Sequence, residues 1–424
     1  MRLLVASNWG IAKFTEILRL DTHFSCLYNK NVILRSLKQK ILAELEHPEV
    51  VIVNGPRRVG KTTLIKSLQD SVSDRKTAYF DFTDPAMLNL WRDFSVTRIE
   101  SIISELGMRR ENCILFFDEV QYLEQPGLLL KLLYDHFQNI KVIATGSSSF
   151  LLLQHIGDSL AGRKKIFVMY PLSLSEISLL ENTDYWKFSE MPVRAVLLTE
   201  VLRQTLLYGA YPPIYLASNK DEKIEKLREI ADSYLFKDLL SLEHIKNPRI
   251  IVELTRLLSY QIGSLVNPNE LAVTLGVARD TVMNYIDLLE KFFIVFRVYP
   301  YEQNLRDVIK HKFKVYFFDL GIRNAVIGNF TPLSQRGDRG YLLENAVAIG
   351  IRCRIEYDRK LYKLYFWRDY DGNEVDLVIK NEKSYGVEVK MERSRARISK
   401  TFHKVLPLAK TMIIDMNNAY KMCL

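Results

Sequence analysis

The sequence predicts an α/β chain in which a parallel sheet comes first and strands return, after a helical middle, in a separate α+β unit. Three observations carry this. Short apolar runs alternate with helix-like segments from Val50 to Leu172, helical periodicity dominates from Ser173 to Tyr260, and strand-like alternation resumes after Lys314. A chain of 424 residues is long for one core, so several domains are expected. The pattern changes divide it into five parts: an N-terminal helical segment over 1–45, a parallel-sheet core over 46–172, a helical lid over 173–260, a winged helix-turn-helix over 261–301, and an α+β unit over 302–424. A helix near Val32–Leu45 leads into the first strand.

Charge is spread unevenly along these parts. The net charge is +9, of which residues 301–424 carry +8, residues 1–240 carry +1 and residues 241–300 carry none. A basic C-terminal unit attracts polyanions, and solubility is the other explanation of such an excess. Cys26, Cys113, Cys353 and Cys423 lie far apart with no CxxC pair, which argues against a disulfide framework or a zinc site and suits the cytoplasm. The opening MRLLVASNWGIAKF is broken by Ser7 and Asn8 and makes a poor signal peptide, and no segment reaches the roughly 18 apolar residues of a membrane span. The expected location is therefore cytoplasmic, with no membrane partner.

Within the first sheet, strands are expected at Val50–Val53, Thr77–Phe82, Ile114–Phe117, Lys141–Thr145 and Ile166–Met169. The first runs into Gly55-Pro-Arg-Arg-Val-Gly60-Lys61-Thr62, which meets every fixed position of G-x-x-x-x-G-K-[ST] between a strand and a helix. This is a P-loop. The backbone of Gly55 to Gly60, with Arg57 and Arg58, and the helix start at Thr62 and Thr63 would cradle ATP phosphates. Lys61 would neutralise the β/γ-phosphates and the Thr62 hydroxyl would ligate Mg²⁺. The apolar strand Ile114–Phe117 ends in Asp118-Glu119, and two acids at the end of a buried strand need a reason. Asp118 would hold the Mg²⁺ shell and Glu119 would polarise the attacking water as general base. At the tip of the next strand, Thr145 or Ser147 would orient water or sense the γ-phosphate; capping and turn formation are the plain alternatives. Hydrolysis also needs a cation at the transferring phosphoryl group, and Arg163 in Leu160-Ala-Gly-Arg163 is the candidate.

Further on, Asn269–Leu275 and Arg279–Glu290 flank the turn Gly276-Val-Ala278 at helix-turn-helix spacing. Val282, Tyr285, Ile286 and Leu289 would pack inward, which leaves Arg279, Thr281, Met283, Asn284, Asp287 and Glu290 outward. That face is too acidic for a groove of phosphates, so packing against protein is favoured over DNA reading. The tail FFIVFRVYP suits a wing. In EVDLVIKNEKSYGVEVK, residues 374–390, alternation puts Asp376 on one face of its strand and Glu388 and Lys390 on one face of the next. If the two strands pair, these three converge as a D-(x)n-E-x-K nuclease centre, with a helix delivering Glu344 to the same place. Such a centre would take a second divalent metal, Mg²⁺ or Mn²⁺. A half-buried hairpin showing charges to water is the bland alternative. Residues 391–410 hold six Lys/Arg and one acid, and Trp367-Arg368-Asp369 offers aromatic surface for bases. DNA is the favoured partner of residues 301–424.

Taken together, these residues resemble a family of archaeal and bacterial AAA-type ATPases with a winged-helix segment and a C-terminal domain similar to the PD-(D/E)xK nuclease fold. The resemblance rests on Gly55–Thr62, Phe116–Gln121, Thr145–Ser149, Leu160–Arg163 with Tyr170-Pro-Leu-Ser173, and Tyr208-Gly-Ala-Tyr-Pro212. It continues through Lys314–Gly321, Gly340–Asn345 and Trp367–Lys390. It implies a P-loop NTPase sheet, a helical lid with winged helix, and an α+β restriction-endonuclease-like domain. It also implies ATP binding, ATP hydrolysis and a role with DNA or defence-like regulation, with a homo-oligomer in which a neighbour's arginine completes the site. One departure stands out: no Pro-Asp precedes Asp376, which follows Glu374-Val375.

Overall fold

The computed structural model describes residues 33–108, 112–146, 160–181, 192–232, 247–301, 312–358, 361–392 and 398–423. They divide into two compact units, Asn29–Tyr170 and Pro171–Leu424. The expected helix near the start is observed over Leu37–Leu42.

In the first unit the strands are β1 (Val50–Asn54), β2 (Lys76–Asp81), β3 (Cys113–Asp118), β4 (Ile140–Gly146) and β5 (Lys164–Val168). They form a parallel sheet in the order β2-β3-β4-β1-β5. The apolar runs explain the middle of this order. Every residue of β1, β3 and β4 is buried, as a parallel strand covered on both faces requires. Strand β2, at the edge, exposes its first residue and buries only Phe80. On one face Trp91 meets Phe80 and Phe117 edge-on at centroid distances of 5.2 and 5.1 Å. Because the strands are parallel, their C-terminal ends gather at one rim, and the P-loop leaves from there.

The second unit begins with helices, among them Pro192–Tyr208, Lys220–Ala231 and Pro248–Tyr260. Helices Pro268–Leu275 and Arg279–Lys291 follow, with Gly276 in the left-handed region (φ 64°) turning the chain between them. Val282, Tyr285, Ile286 and Leu289 are buried. The remaining strands are β6 (Leu265–Val266), β7 (Val295–Pro300), β8 (Phe313–Phe317), β9 (Lys363–Arg368), β10 (Glu374–Lys380), β11 (Ser384–Val389) and β12 (Lys410–Ile414). Among the described residues they make one sheet in the order β12-β11-β10-β9-β7-β8-β6. The boundary expected at 301/302 therefore falls inside a sheet. The apolar tail that reads as a wing is strand β7, hydrogen-bonded to β8 on one side and, through Tyr299 and Pro300, to β9 on the other. A run this apolar is satisfied by neighbours on both edges and both faces.

Asp319, directly after β8, ties the helices of this unit to the sheet. Its carboxylate accepts from the N–H of Ile322 (3.0 Å), capping helix Leu320–Val326, and from the N–H of Ala210 (2.7 Å) in the Gly209-Ala-Tyr-Pro loop. The approach is close: a Cβ on Gly321 would lie 2.1 Å from the Tyr208 carbonyl oxygen. Next to it, Asn324 donates to the carbonyls of Leu206 and Leu207, and Arg323 to that of Ser259.

Burial pushes the Asp319 carboxyl up to about 6, against the pull of the N–H groups of Ala210, Ile322 and Gly321. The folded state thus holds this proton more tightly than the unfolded chain. The contribution is full below pH about 3.8 and is lost as the pH rises through about 6. Asp319→Ala is expected to cost about 3 kcal/mol, through the lost cap and an orphaned N–H, as a lower urea midpoint. Asp319→Asn should flatten the fall of that midpoint between about pH 4 and 6 relative to wild type; parallel curves would refute the assignment.

Candidate functional site

At the rim of the first unit, the loop after β1 folds as its glycines dictate. A Cβ on Gly55 would meet the Met169 carbonyl oxygen at 2.3 Å, so no larger residue fits there. Gly60 precedes helix Lys61–Asp70 in a left-handed conformation (φ 97°) that L side chains rarely adopt. The Lys61 ammonium is buried inside the loop and donates to the carbonyls of Gly55 (3.0 Å) and Pro56 (2.8 Å). Arg57, Arg58 and Thr63 are exposed and Thr62 half-buried, all on the same turn. A backbone cradle of this shape at a helix N-terminus suits an anion such as a nucleotide phosphate.

Asp118 and Glu119 lie at the same rim, at the end of β3, with β4 between β3 and β1. Asp118 is buried, and its two carboxylate oxygens accept from different neighbours: Oδ2 from the Tyr79 hydroxyl of β2 (2.8 Å) and Oδ1 from the Thr145 hydroxyl of β4. Thr145 Oγ1 in turn accepts from the Glu119 N–H (3.0 Å). Glu119 takes a left-handed conformation (φ 55°), uncommon for a residue with a side chain, and its carboxylate accepts from Gln121. Burial, then the hydrogen bond to Asp118, pushes the Tyr79 hydroxyl far up, so it remains a donor.

Two sequence expectations change here. Thr145 holds Asp118 and the Glu119 backbone, and its one proton is committed to Asp118, so it positions the acids; Ser147 lies outside the described residues. Arg163 is at the wrong end of the sheet. Its carbonyl accepts from Val50 N–H at the start of β1, and its guanidinium is paired with Asp135 at 2.7 Å. The P-loop leaves from the far end of that strand, about 13 Å along it at 3.3 Å per residue. Within one chain Arg163 does not reach the phosphate cradle. Arg163 follows the Leu160-Ala-Gly turn just before β5, and sequence order alone could not tell which rim that turn occupies. Tyr79 was missed by sequence reasoning, and its only signal was a tyrosine on the strand that neighbours β3.

The second group of residues lies in the C-terminal sheet. Strands β10 and β11 pair antiparallel with Leu377 opposite Val387, and one step further along this register Asp376 stands opposite Glu388. Lys390 bridges them, with Nζ 3.2 Å from Asp376 and 2.7 Å from Glu388. Helix Arg339–Tyr357 delivers Glu344 to the same cleft, whose volume is about 540 Å³. The four expected residues therefore line one cleft. Lys314 and Glu374 also line it, and the buried Tyr316 is hydrogen-bonded to Glu344; none of the three was anticipated. Lys314 donates to Glu344 (2.9 Å) and lies 2.6 Å from Glu374, while the Tyr316 hydroxyl donates to Glu344 (2.6 Å). Their signal was the i, i+2 spacing of Lys314 with Tyr316 and of Glu374 with Asp376, which puts each pair on one strand face.

Burial pushes the Glu344 carboxyl up to about 7, with Lys314 opposing and Asp376 reinforcing the shift. Glu388 is raised by burial and then by Asp376. For Lys314, burial favours the neutral amine, but Glu344, Glu374 and Asp376 outweigh it and the ammonium keeps its proton. As a divalent-metal site the donor set fits poorly. Glu344 and Glu374 are met by Lys314, Asp376 and Glu388 by Lys390, and among the described residues no three His, Cys, Asp or Glu are grouped to hold a metal.

The profile of the AAA domain family matches residues 47–178, the span that carries the P-loop, Asp118 and Glu119. Residues 47–178 thus resemble an AAA domain. Further along, two domains of unknown function match, DUF8612 over 199–333 and DUF4143 over 339–422. An uncharacterized protein of Methanocaldococcus jannaschii is 26% identical over 396 residues, covering 87% of this chain and 82% of the relative. One from Haemophilus influenzae is 25% identical over 341 residues, covering 78% and 79%. Among solved structures, the Walker-type ATPase PABY2304 of Pyrococcus abyssi is similar with a TM-score of 0.47 and 17% identity, covering 72% of this chain and 99% of the other. The Aeropyrum pernix ORC2 protein in its ADP form is similar with a TM-score of 0.37 and 14% identity, covering 74% and 98%. Among the described residues no helix is long and apolar enough to cross a membrane.

Thr145→Val removes the hydroxyl between Asp118 and the Glu119 N–H. It is expected to lower nucleotide turnover by the AAA domain about tenfold or more, with nucleotide affinity less affected. Single-turnover rates and fluorescent-nucleotide binding separate the two, and equal losses in both would show a general collapse of the loop.

Proposed function

We propose that the protein is a Mg²⁺-dependent ATPase whose nucleotide cycle drives or gates nucleic-acid binding, DNA by preference, by its basic C-terminal unit. The observation that carries the first half is the convergence at one sheet rim of the cradle Gly55–Gly60, Lys61, Asp118 and Glu119. In this reading the loop N–H groups and Lys61 hold the phosphates of ATP, with Arg57 and Arg58 exposed on the same turn. Thr62 and Asp118 would hold Mg²⁺, which neutralises charge on the transferring group. Both oxygens of Asp118 are committed to hydroxyls, which suits it to hold the ion through the ion's water shell. Glu119 takes the proton of the attacking water as the γ-phosphoryl group leaves ADP. The cation at that group is Arg57, Arg58 or an arginine of a second copy in a homo-oligomer.

The second half draws on charge. Residues 301–424 carry +8, and the charged residues lining a groove beside the C-terminal cleft are Arg336, Arg339, Lys390 and one acid, Glu392. The helix pair 268–291 with β6, β7 and β8 suits a winged helix that packs against protein. Two outward acids of its second helix, Asp287 and Glu290, are paired with Arg297 of β7, so the unit has little positive charge for a groove of phosphates. The same feature favours the second reading, a regulatory nucleotide switch whose C-terminal unit binds protein. A third, an ATP-gated nuclease using Mg²⁺ or Mn²⁺, would draw on the convergence of Glu344, Asp376, Glu388 and Lys390, but the poor metal fit of that donor set counts against it.

ATP turnover is expected to fall at least ~100-fold in Lys61→Ala and in Glu119→Gln; unchanged turnover in both would overturn the site. Filter binding of the full chain to duplex DNA at two salt concentrations should show retention that drops steeply with salt. Retention that salt does not change, or none at all, would favour the protein-binding switch.

A further inference from the structure

One cation in the C-terminal cleft has no place in D-(x)n-E-x-K spacing. Lys314 enters from β8, on the opposite side of the cleft from Lys390, and its side chain is 2% exposed. Its ammonium lies between the carboxylates of Glu344 (2.9 Å) and Glu374 (2.6 Å), with the Phe366 ring 5.6 Å away. Two of the cleft's acids each have one oxygen doubly engaged. Glu344 Oε1 accepts from both Lys314 and Tyr316, and Asp376 Oδ2 accepts from the Val389 N–H (2.7 Å) and from Lys390. Glu388 Oε2 is buried with no hydrogen-bond partner, but a single such oxygen does not make a metal site.

We propose that Lys314 is the resident cation of this cleft, an ammonium built into the place where these acids would otherwise gather a divalent metal, so that the C-terminal centre works without one. A metal needs several ionised oxygens free to turn toward it, and it would meet here a positive charge on a side chain that is almost wholly buried. Glu344 and Glu374 are then kept as counter-charges of Lys314, and Asp376 and Glu388 as those of Lys390, which accounts for their convergence without hydrolytic chemistry. This goes beyond the nucleic-acid reading and stands independently of it, because the test uses metal alone.

The experiment is Mn²⁺ titration by electron paramagnetic resonance on the full chain without nucleotide. Only Mn²⁺ that Asp376→Asn removes is counted, which sets aside any ion at the AAA domain; Glu388→Gln serves if that variant does not fold. Wild type is expected to bind no such ion, and chelator should leave its melting temperature unchanged. Lys314→Met is expected to gain one Mn²⁺, bound at least about tenfold more tightly than by wild type, and to lose it when Asp376→Asn is added. Wild-type binding of Mn²⁺ that Asp376→Asn abolishes would overturn the proposal, as would a folded Lys314→Met that gains none. If Lys314→Met does not fold, wild type against Asp376→Asn decides.

Discussion

A charge taken out of water has to find its counter-charge or its hydrogen bonds inside the fold, and this constraint shapes both units of the molecule. In the first unit the buried ammonium of Lys61 sits on two loop carbonyls, and the buried carboxylate of Asp118 is held by hydroxyls from the strands on either side. In the second, Lys314 joins β8 to helix Arg339–Tyr357 through Glu344 and to β10 through Glu374. Arg323 and Arg336 share Asp338 in the same way, tying helix Leu320–Val326 to the start of helix Arg339–Tyr357. Burial alone would raise the Asp338 carboxyl, but the two guanidiniums bring it down to about 2. Each pairing fixes the relative position of elements that apolar packing alone would let slide.

The two candidate sites arise from different sheet physics. In the parallel sheet all C-terminal strand ends meet at one rim, so a loop after β1 and acids after β3 become neighbours although about sixty residues separate them. Helix dipole and backbone N–H groups then add their potential at the same place. In the antiparallel pair β10–β11 the register does the work: with Leu377 opposite Val387, Asp376 and Glu388 are forced onto one face as a cross-strand pair. Like charges so placed repel, and Lys390 between them makes the arrangement tolerable. The rest of the sheet, in which β7 pairs parallel with β9 and antiparallel with β8, brings Lys314 to the same cleft and with it a positive charge among the acids.

Much of this was legible in the sequence. The G-x-x-x-x-G-K-T spacing, the apolar run ending in Asp118-Glu119, and the alternation through 374–390 each name local geometry, because a loop, a buried strand end and a strand face are set by neighbours in the chain. The helix pair at 268–291 was equally readable, since Val282, Tyr285, Ile286 and Leu289 repeat at helical spacing and are buried. The strand Val295–Pro300 shows the limit. Its apolar residues announce a strand, but whether it ends a wing or continues a larger sheet depends on β9, which follows more than sixty residues later.

By itself, then, the sequence determined the phosphate cradle, the acids beside it, the faces of the amphipathic elements and where the positive charge lies, all consequences of short-range spacing and composition. Only the tertiary structure decided which distant groups meet. It put Arg163 at the rim away from Lys61, committed the Thr145 hydroxyl to Asp118, turned Arg297 onto Asp287 and Glu290, and placed Lys314 among the carboxylates. These depend on strand order and register, which are settled by burying apolar faces across the whole sheet and by matching every buried charge. Neither requirement can be met, or read, within one stretch of chain.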